Sequence, residues 1–227
     1  MTEFSVKALT FATNVRGVSA PRSWRIDFSA LLHLLITAAT ISLSSEAVAW
    51  SLTIASASRR VYLHVGDGTY DRNNPTINLV QVTVPVAQLG SGVALAMNSN
   101  STQSRSLLDG YITCPNPGQQ VLIGASYRRS GAGQPASATL SVASPVSLTN
   151  SAGDVIPFTQ ISWTVSAAGS SQPNVIPAGT FNGGTQILAT IPANRYIENC
   201  HSFIFANNAL RAPGTYTGQV QYTISSP

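Results

Sequence analysis

Charge is scarce in this chain: Asp, Glu, Lys and Arg supply 9% of 227 residues, against about 25% in an ordinary soluble domain. With 44% hydrophobic residues there is ample material for a core, which excludes a disordered, charge-rich polymer. Lysine is almost missing, Lys7 being the only one, and no basic run exceeds an arginine pair. The net charge of +4 is therefore spread thinly and gives nucleic-acid binding little support. Long uninterrupted helical patterns are also absent. The 17 Gly and 13 Pro are scattered along the chain, which excludes a coiled coil or long-helix protein.

The first fifty residues differ from the rest. Lys7, Arg16, Arg22 and Arg25 precede an apolar run of 14 residues, from Ala30 to Leu43, and small residues ending in Ala47-Val48-Ala49 follow. A basic segment, a short apolar segment and an A-x-A site read as a secretory signal peptide over residues 1–49, cleaved after Ala49 with Ala47 and Ala49 as the small recognition residues. The apolar run is shorter than the roughly 20 residues that a spanning helix needs, so no stable membrane span is expected after cleavage. An uncleaved anchor and an amphipathic N-terminal helix are the alternatives.

Cleavage leaves residues 50–227 as a single domain without lysine. Eight arginines against five acids give it a charge of +3, too weak by itself to imply an anionic partner. Its two cysteines, Cys114 and Cys200, read as one disulfide in an oxidising compartment. Two buried free thiols are the alternative. A metal site is not expected, because Cys200 and His201 are neighbours on a strand and point to opposite faces.

Short alternating segments fill this domain. Val61, Leu63 and Val65 share one strand face, and residues 77–84 form a second strand stopped by Pro85. Further strands are expected at 110–114, 121–127, 138–142, 159–165, 185–191, 202–205 and 216–224. In the last, Tyr216, Val220, Tyr222 and Ile224 share a face. Turn signals such as Asn73-Asn74-Pro75, Pro115-Asn116-Pro117-Gly118 and Asn182-Gly183-Gly184 divide them. About nine short strands at this spacing point to an all-β, antiparallel, immunoglobulin-like β-sandwich, with a barrel as the second choice.

The ending Gly214-Thr215-Tyr216-Thr217-Gly218-Gln219-Val220-Gln221-Tyr222-Thr223 resembles the final strand of bacterial chaperone–usher pilin subunits and of spore-coat-U-like secreted domains. The segments Ser147-Leu148-Thr149-Asn150, Phe158-Thr159-Gln160-Ile161-Ser162-Trp163 and Pro177-Ala178-Gly179-Thr180-Phe181 also resemble uncharacterised secreted proteins of proteobacteria. The resemblance implies an exported subunit of a surface fibre, with self-association and a periplasmic chaperone and usher as partners. The chain departs from the pilin pattern in its cysteines, which lie in mid-chain and near the end. In pilins a short N-terminal segment adds a strand to the next subunit. Here Trp50, Leu52 and Ile54 alternate at the start of the cleaved chain and are the candidate strand-donor residues, the alternative being that they form the first strand of their own sheet.

Catalytic chemistry finds no foothold, and no enzyme, cofactor or metal is expected. There is no G-x-S-x-G, and nothing in the spacing of the acids favours a carboxylate pair. His64, between Leu63 and Val65, reads as a solvent-facing strand residue, and His201 as a partly buried one. Asp67, Asp71 and Asn73 are oxygen donors in a glycine-containing loop but lack the order of a calcium-binding EF-hand. Trp163 reads as core rather than as a sugar platform. A monomeric secreted module binding a surface glycan is the second functional reading, ahead of an exported hydrolase.

Overall fold

The computed structural model describes residues 2–16, 52–53, 55–69, 76–166 and 175–227. Its regular structure is almost entirely extended: β1 (Thr2–Arg16), β2 (Leu52–Thr53), β3 (Arg60–Val65), β4 (Gly68–Thr69), β5 (Asn78–Pro85), β6 (Leu95–Ala96), β7 (Asn98–Ser99), β8 (Val121–Arg128), β9 (Ser137–Ala143), β10 (Ser147–Thr149), β11 (Val155–Pro157), β12 (Ile161–Ser166), β13 (Gly179–Thr180), β14 (Thr185–Pro192), β15 (Arg195–Phe205) and β16 (Thr215–Ser226). The described helical structure is confined to 3-10 turns at Val86–Gln88, Pro117–Gln119 and Phe158–Gln160.

Two sheets form. One has the order β11-β10-β16-β1-β5-β7, with β9 joining β14 to β16; the other has the order β13-β12-β15-β8-β3-β4, with β2 and β6 on β15. The described pairings are antiparallel except that of β1 with β5. Alternation explains the packing: every second residue faces inward, and most of these are apolar. Val61, Leu63 and Val65 of β3, Ile123, Ala125 and Tyr127 of β8, and Phe203 and Phe205 of β15 meet Val80, Val82 and Val84 of β5, Leu140 and Val142 of β9, and Tyr216, Val220, Tyr222 and Ile224 of β16 in one core. The expected antiparallel β-sandwich is the observed fold, and Trp163 is part of its core.

Three expectations change. Residues 110–114 are not a strand; they hold a single bridge, Arg105 to Ile112. Residues 158–160 form a 3-10 turn before β12 rather than its first residues. β15 starts at Arg195, well before the expected 202, and its buried Glu198 and Asn199 find hydrogen-bond partners inside the protein. Asn199, fully buried, accepts the backbone N–H of Ile176 at 3.0 Å. One glycine is required where β3 ends: Gly66 has φ +56°, and a Cβ there would stand 1.9 Å from Oδ1 of Asn78.

The Cys114–Cys200 disulfide forms across 86 residues of sequence, with Cα atoms 5.4 Å apart. It fits an oxidising compartment. No helix among the described residues is long and apolar enough to cross a membrane. Replacing both cysteines by serine should lower stability by about 4–5 kcal/mol on the chain-entropy account for a loop of this length, read from urea unfolding of the oxidised and variant proteins. A loss below about 1 kcal/mol would show that the unfolded chain gains little freedom when the bond is removed.

Candidate functional site

β16 is the strand around which the first sheet is assembled. One edge is taken by β10 at Thr217 and by β9 along residues 221–225. The other is taken along almost its whole length by β1, from Thr2 opposite Ser226 to Asn14 opposite Thr215, with a register shift between Lys7 and Leu9. β1 then runs parallel to β5, from Leu9 opposite Asn78 to Arg16 opposite Pro85. β5 and β16 therefore each pair with β1 and not with each other. They bound a slot one strand wide, about 9–10 Å across at ordinary strand spacing. Its rims present the buried Val80, Val82 and Val84 on one side and Tyr216, Val220, Tyr222 and Ile224 on the other.

A second feature lies on the outer face of the other sheet. Tyr62 and His64 of β3, Leu122, Gly124 and Ser126 of β8, and Tyr196, Glu198 and Cys200 of β15 point away from the core, as alternation requires. Residues 101–120 fold over part of this face, and the disulfide pins them there. Beneath them, Glu198 accepts hydrogen bonds from the Tyr196 hydroxyl at 2.5 Å and from the Thr113 hydroxyl at 2.9 Å. Nε2 of His64 is 3.9 Å from the same carboxylate, beyond hydrogen-bond distance. Burial pushes the Glu198 carboxyl up, but the polar groups of His64, Tyr196, Ser106 and Thr113 gathered round it outweigh burial and hold it below the ordinary carboxylate range. Burial, and then the Glu198 charge, push the Tyr196 phenol well above its ordinary value.

His64 is thus fully enclosed rather than solvent-facing. Alternation does turn it away from the core, but the covering segment excludes water. Gly124 makes room for the cluster: a Cβ there would lie 2.6 Å from both Nε2 of His64 and the Tyr196 hydroxyl. Carboxylate, imidazole and phenol are all sealed from solvent, so the arrangement holds the covering segment down and offers no approach to a substrate. The segment turns outward at residues 106–112, where Leu107, Leu108, Tyr111 and Ile112 are each at least 42% exposed.

His201 lies on the opposite, core-facing side of β15. Its ring centroid is 6.4 Å from that of Trp163 and 6.3 Å from that of Phe203. It is completely rather than partly buried, and neither ring nitrogen has a hydrogen-bond partner among the described residues. Burial pushes its pKa down to about 3. The two histidines are therefore separated by the sheet and cannot act together. Cys200 and His201 face opposite ways, as the alternation argument required.

The Asp67 carboxylate is engaged by the Thr102 backbone N–H and hydroxyl and by Nδ2 of Asn78. Asp71 and Asn73 lie outside the described residues, as do Ala47, Ala49, Trp50 and Ile54. Leu52 and Thr53 pair with Tyr196 and Arg195 of their own chain. Sequence reasoning missed the Thr113–Tyr196–Glu198 cluster. Its legible signal was the period of two that sets Tyr196, Glu198 and Cys200 on the face of the disulfide. No protein-family model matches the chain, and no curated protein or solved structure matches it either.

Two measurements test this geometry. Gly124→Ala should destabilise the protein by about 1–3 kcal/mol, the usual cost of overpacking, as read from urea midpoints; an unchanged midpoint would mean the cluster yields freely. His201 makes stability depend on pH: unfolded, it takes up a proton near pH 6.5, and folded only near 3. The unfolded state therefore gains the proton first as pH falls, and stability is lost between those values. Between pH 7.5 and 5.5 the loss should be about 1.4 kcal/mol, and His201→Leu should abolish it.

Proposed function

We propose that the chain is an exported subunit of a bacterial surface fibre that assembles by strand addition through the slot between β5 and β16. One observation carries this reading. The strand that completes the first sheet comes from residues 2–16, upstream of both the apolar run and Ala47-Val48-Ala49. Cleavage after Ala49 removes that strand and leaves both rims of the slot unpaired and their apolar side chains uncovered. An exposed pair of strand edges over an apolar floor invites another strand. A segment of a second copy, running antiparallel to β16, restores the sheet, and a periplasmic chaperone would shield the slot until then. The donor is the alternating Trp50-Ser51-Leu52-Thr53-Ile54 segment, whose described part holds only two residues of pairing to its own domain.

A second reading is a monomeric secreted binding module completed by its own first strand. The observation favouring it is that β1 belongs to the same chain as the slot it fills.

Mass spectrometry and gel analysis of the exported protein decide between them. The fibre reading expects a chain starting at Trp50, no peptide containing Lys7, and ladders that survive mild denaturant. A chain truncated to begin at Arg59 should stay folded by circular dichroism and cease to form ladders. Exported protein that keeps Lys7 and runs as a monomer overturns the fibre reading in favour of the self-completed module.

A further inference from the structure

The two arginine pairs of the sequence, Arg59-Arg60 and Arg128-Arg129, are separated by 68 positions in the chain. The β3–β8 register brings them together, with Arg60 directly opposite Arg128. β15 lies on the other side of β8 and places Arg195 opposite Tyr127, so a fifth arginine stands at the same end of the sheet. Arg59 is tied to the end of β16, donating to the Ser226 hydroxyl at 2.7 Å and carbonyl at 2.9 Å. Arg129 donates to the Gln134 carbonyl.

Arg60 is exposed and Arg128 half-buried, and neither is met by a carboxylate among the residues whose side chains are described. Like charges directly opposed destabilise a strand pair, so a bound anion would relieve the arrangement. The described acids of the domain do not supply one. Glu198 is buried under the covering segment, Asp67 is engaged by Thr102 and Asn78, Asp154 accepts from Asn150, and Asp109 accepts the Tyr111 backbone N–H. Glu3 stands opposite Ser225 at this end, but it belongs to the segment that cleavage after Ala49 removes.

We infer that Arg60 and Arg128 form an anion-binding site for an acidic polysaccharide, with Tyr62 as its aromatic floor. Tyr62 is the next outward residue along β3 from Arg60, half-buried, and stands opposite Ser126. Two guanidiniums at cross-strand spacing grip a carboxylate or sulfate through paired N–H donors. The ring beside them offers an apolar surface for the C–H face of the same sugar, which a phosphate headgroup or a free anion does not need. The site lies on the outer face of the second sheet rather than in the slot, and it rests on the proposed cleavage after Ala49 that removes Glu3 but not on strand exchange between copies.

Binding of the exported protein to immobilised polygalacturonate at low salt tests this, with dextran as the uncharged control. Arg60→Gln should weaken binding by about tenfold, the loss of one charge-assisted contact, and Arg60→Gln with Arg128→Gln should weaken it further. Arg211→Gln removes the same charge elsewhere and should change binding by less than about twofold. Tyr62→Ala should weaken binding to polygalacturonate without altering retention on a plain sulfate-bearing resin. Thermal melts of each variant confirm that the fold is kept. Equal losses for Arg60→Gln and Arg211→Gln would reduce the effect to net charge and overturn the proposal. So would capture by phosphatidylglycerol vesicles without capture by polygalacturonate, which would make the site a lipid-surface contact.

Discussion

The backbone of a buried strand must be hydrogen-bonded along both edges, and in this protein that demand falls hardest on β16. Its inward row of Tyr216, Val220, Tyr222 and Ile224 is fully enclosed, so its backbone groups have no access to water on that side. One edge is met by β9 and β10, elements of the same half of the chain. The other edge is met from the far end of the sequence, by β1. A sandwich that cannot finish its own sheet from contiguous sequence makes its completion an event, open to control by whatever retains or removes the first strand. The proposed assembly builds on that constraint.

The second constraint is the small number of charges. In a chain with so few ionisable side chains, the position of each has consequences. Glu198 is enclosed but not isolated, because Tyr196 and Thr113 donate to it and the disulfide holds Thr113 in place from the neighbouring position. A buried carboxylate is tolerated when such donors surround it. The covalent bond and the polar cluster thus secure the same covering segment. The resulting layer lies on the outer face of a sheet that would otherwise present His64 and Tyr196 to water.

Much of the sandwich was legible because alternation is a local signal. β3, β8, β9, β14 and β16 were placed within a residue or two from their apolar period alone. The first half of β15 was not, since Glu198, Asn199 and His201 break the apolar pattern, and Glu198 and Asn199 are held by Thr113 and Ile176, which are distant in sequence. Residues 110–114 carry a strand-like pattern but act as a cover, tied to β15 by the Cys114–Cys200 bond and the Thr113–Glu198 hydrogen bond. His64 shows the same limit at a single side chain. Its direction was readable from its neighbours, whereas its burial depends on a segment some fifty residues later.

The sequence by itself determined the fold class, the disulfide and the inward row of each alternating strand. These rest on a period of two and on the chemistry of a lone cysteine pair, both properties of the chain taken locally. Tertiary structure alone decided that β1 lies between β5 and β16, that Thr113, Tyr196 and Glu198 meet under one cover, and that two arginine pairs come to stand side by side. Strand order and register join residues with no proximity along the chain, and no local pattern encodes which distant edge a strand will take.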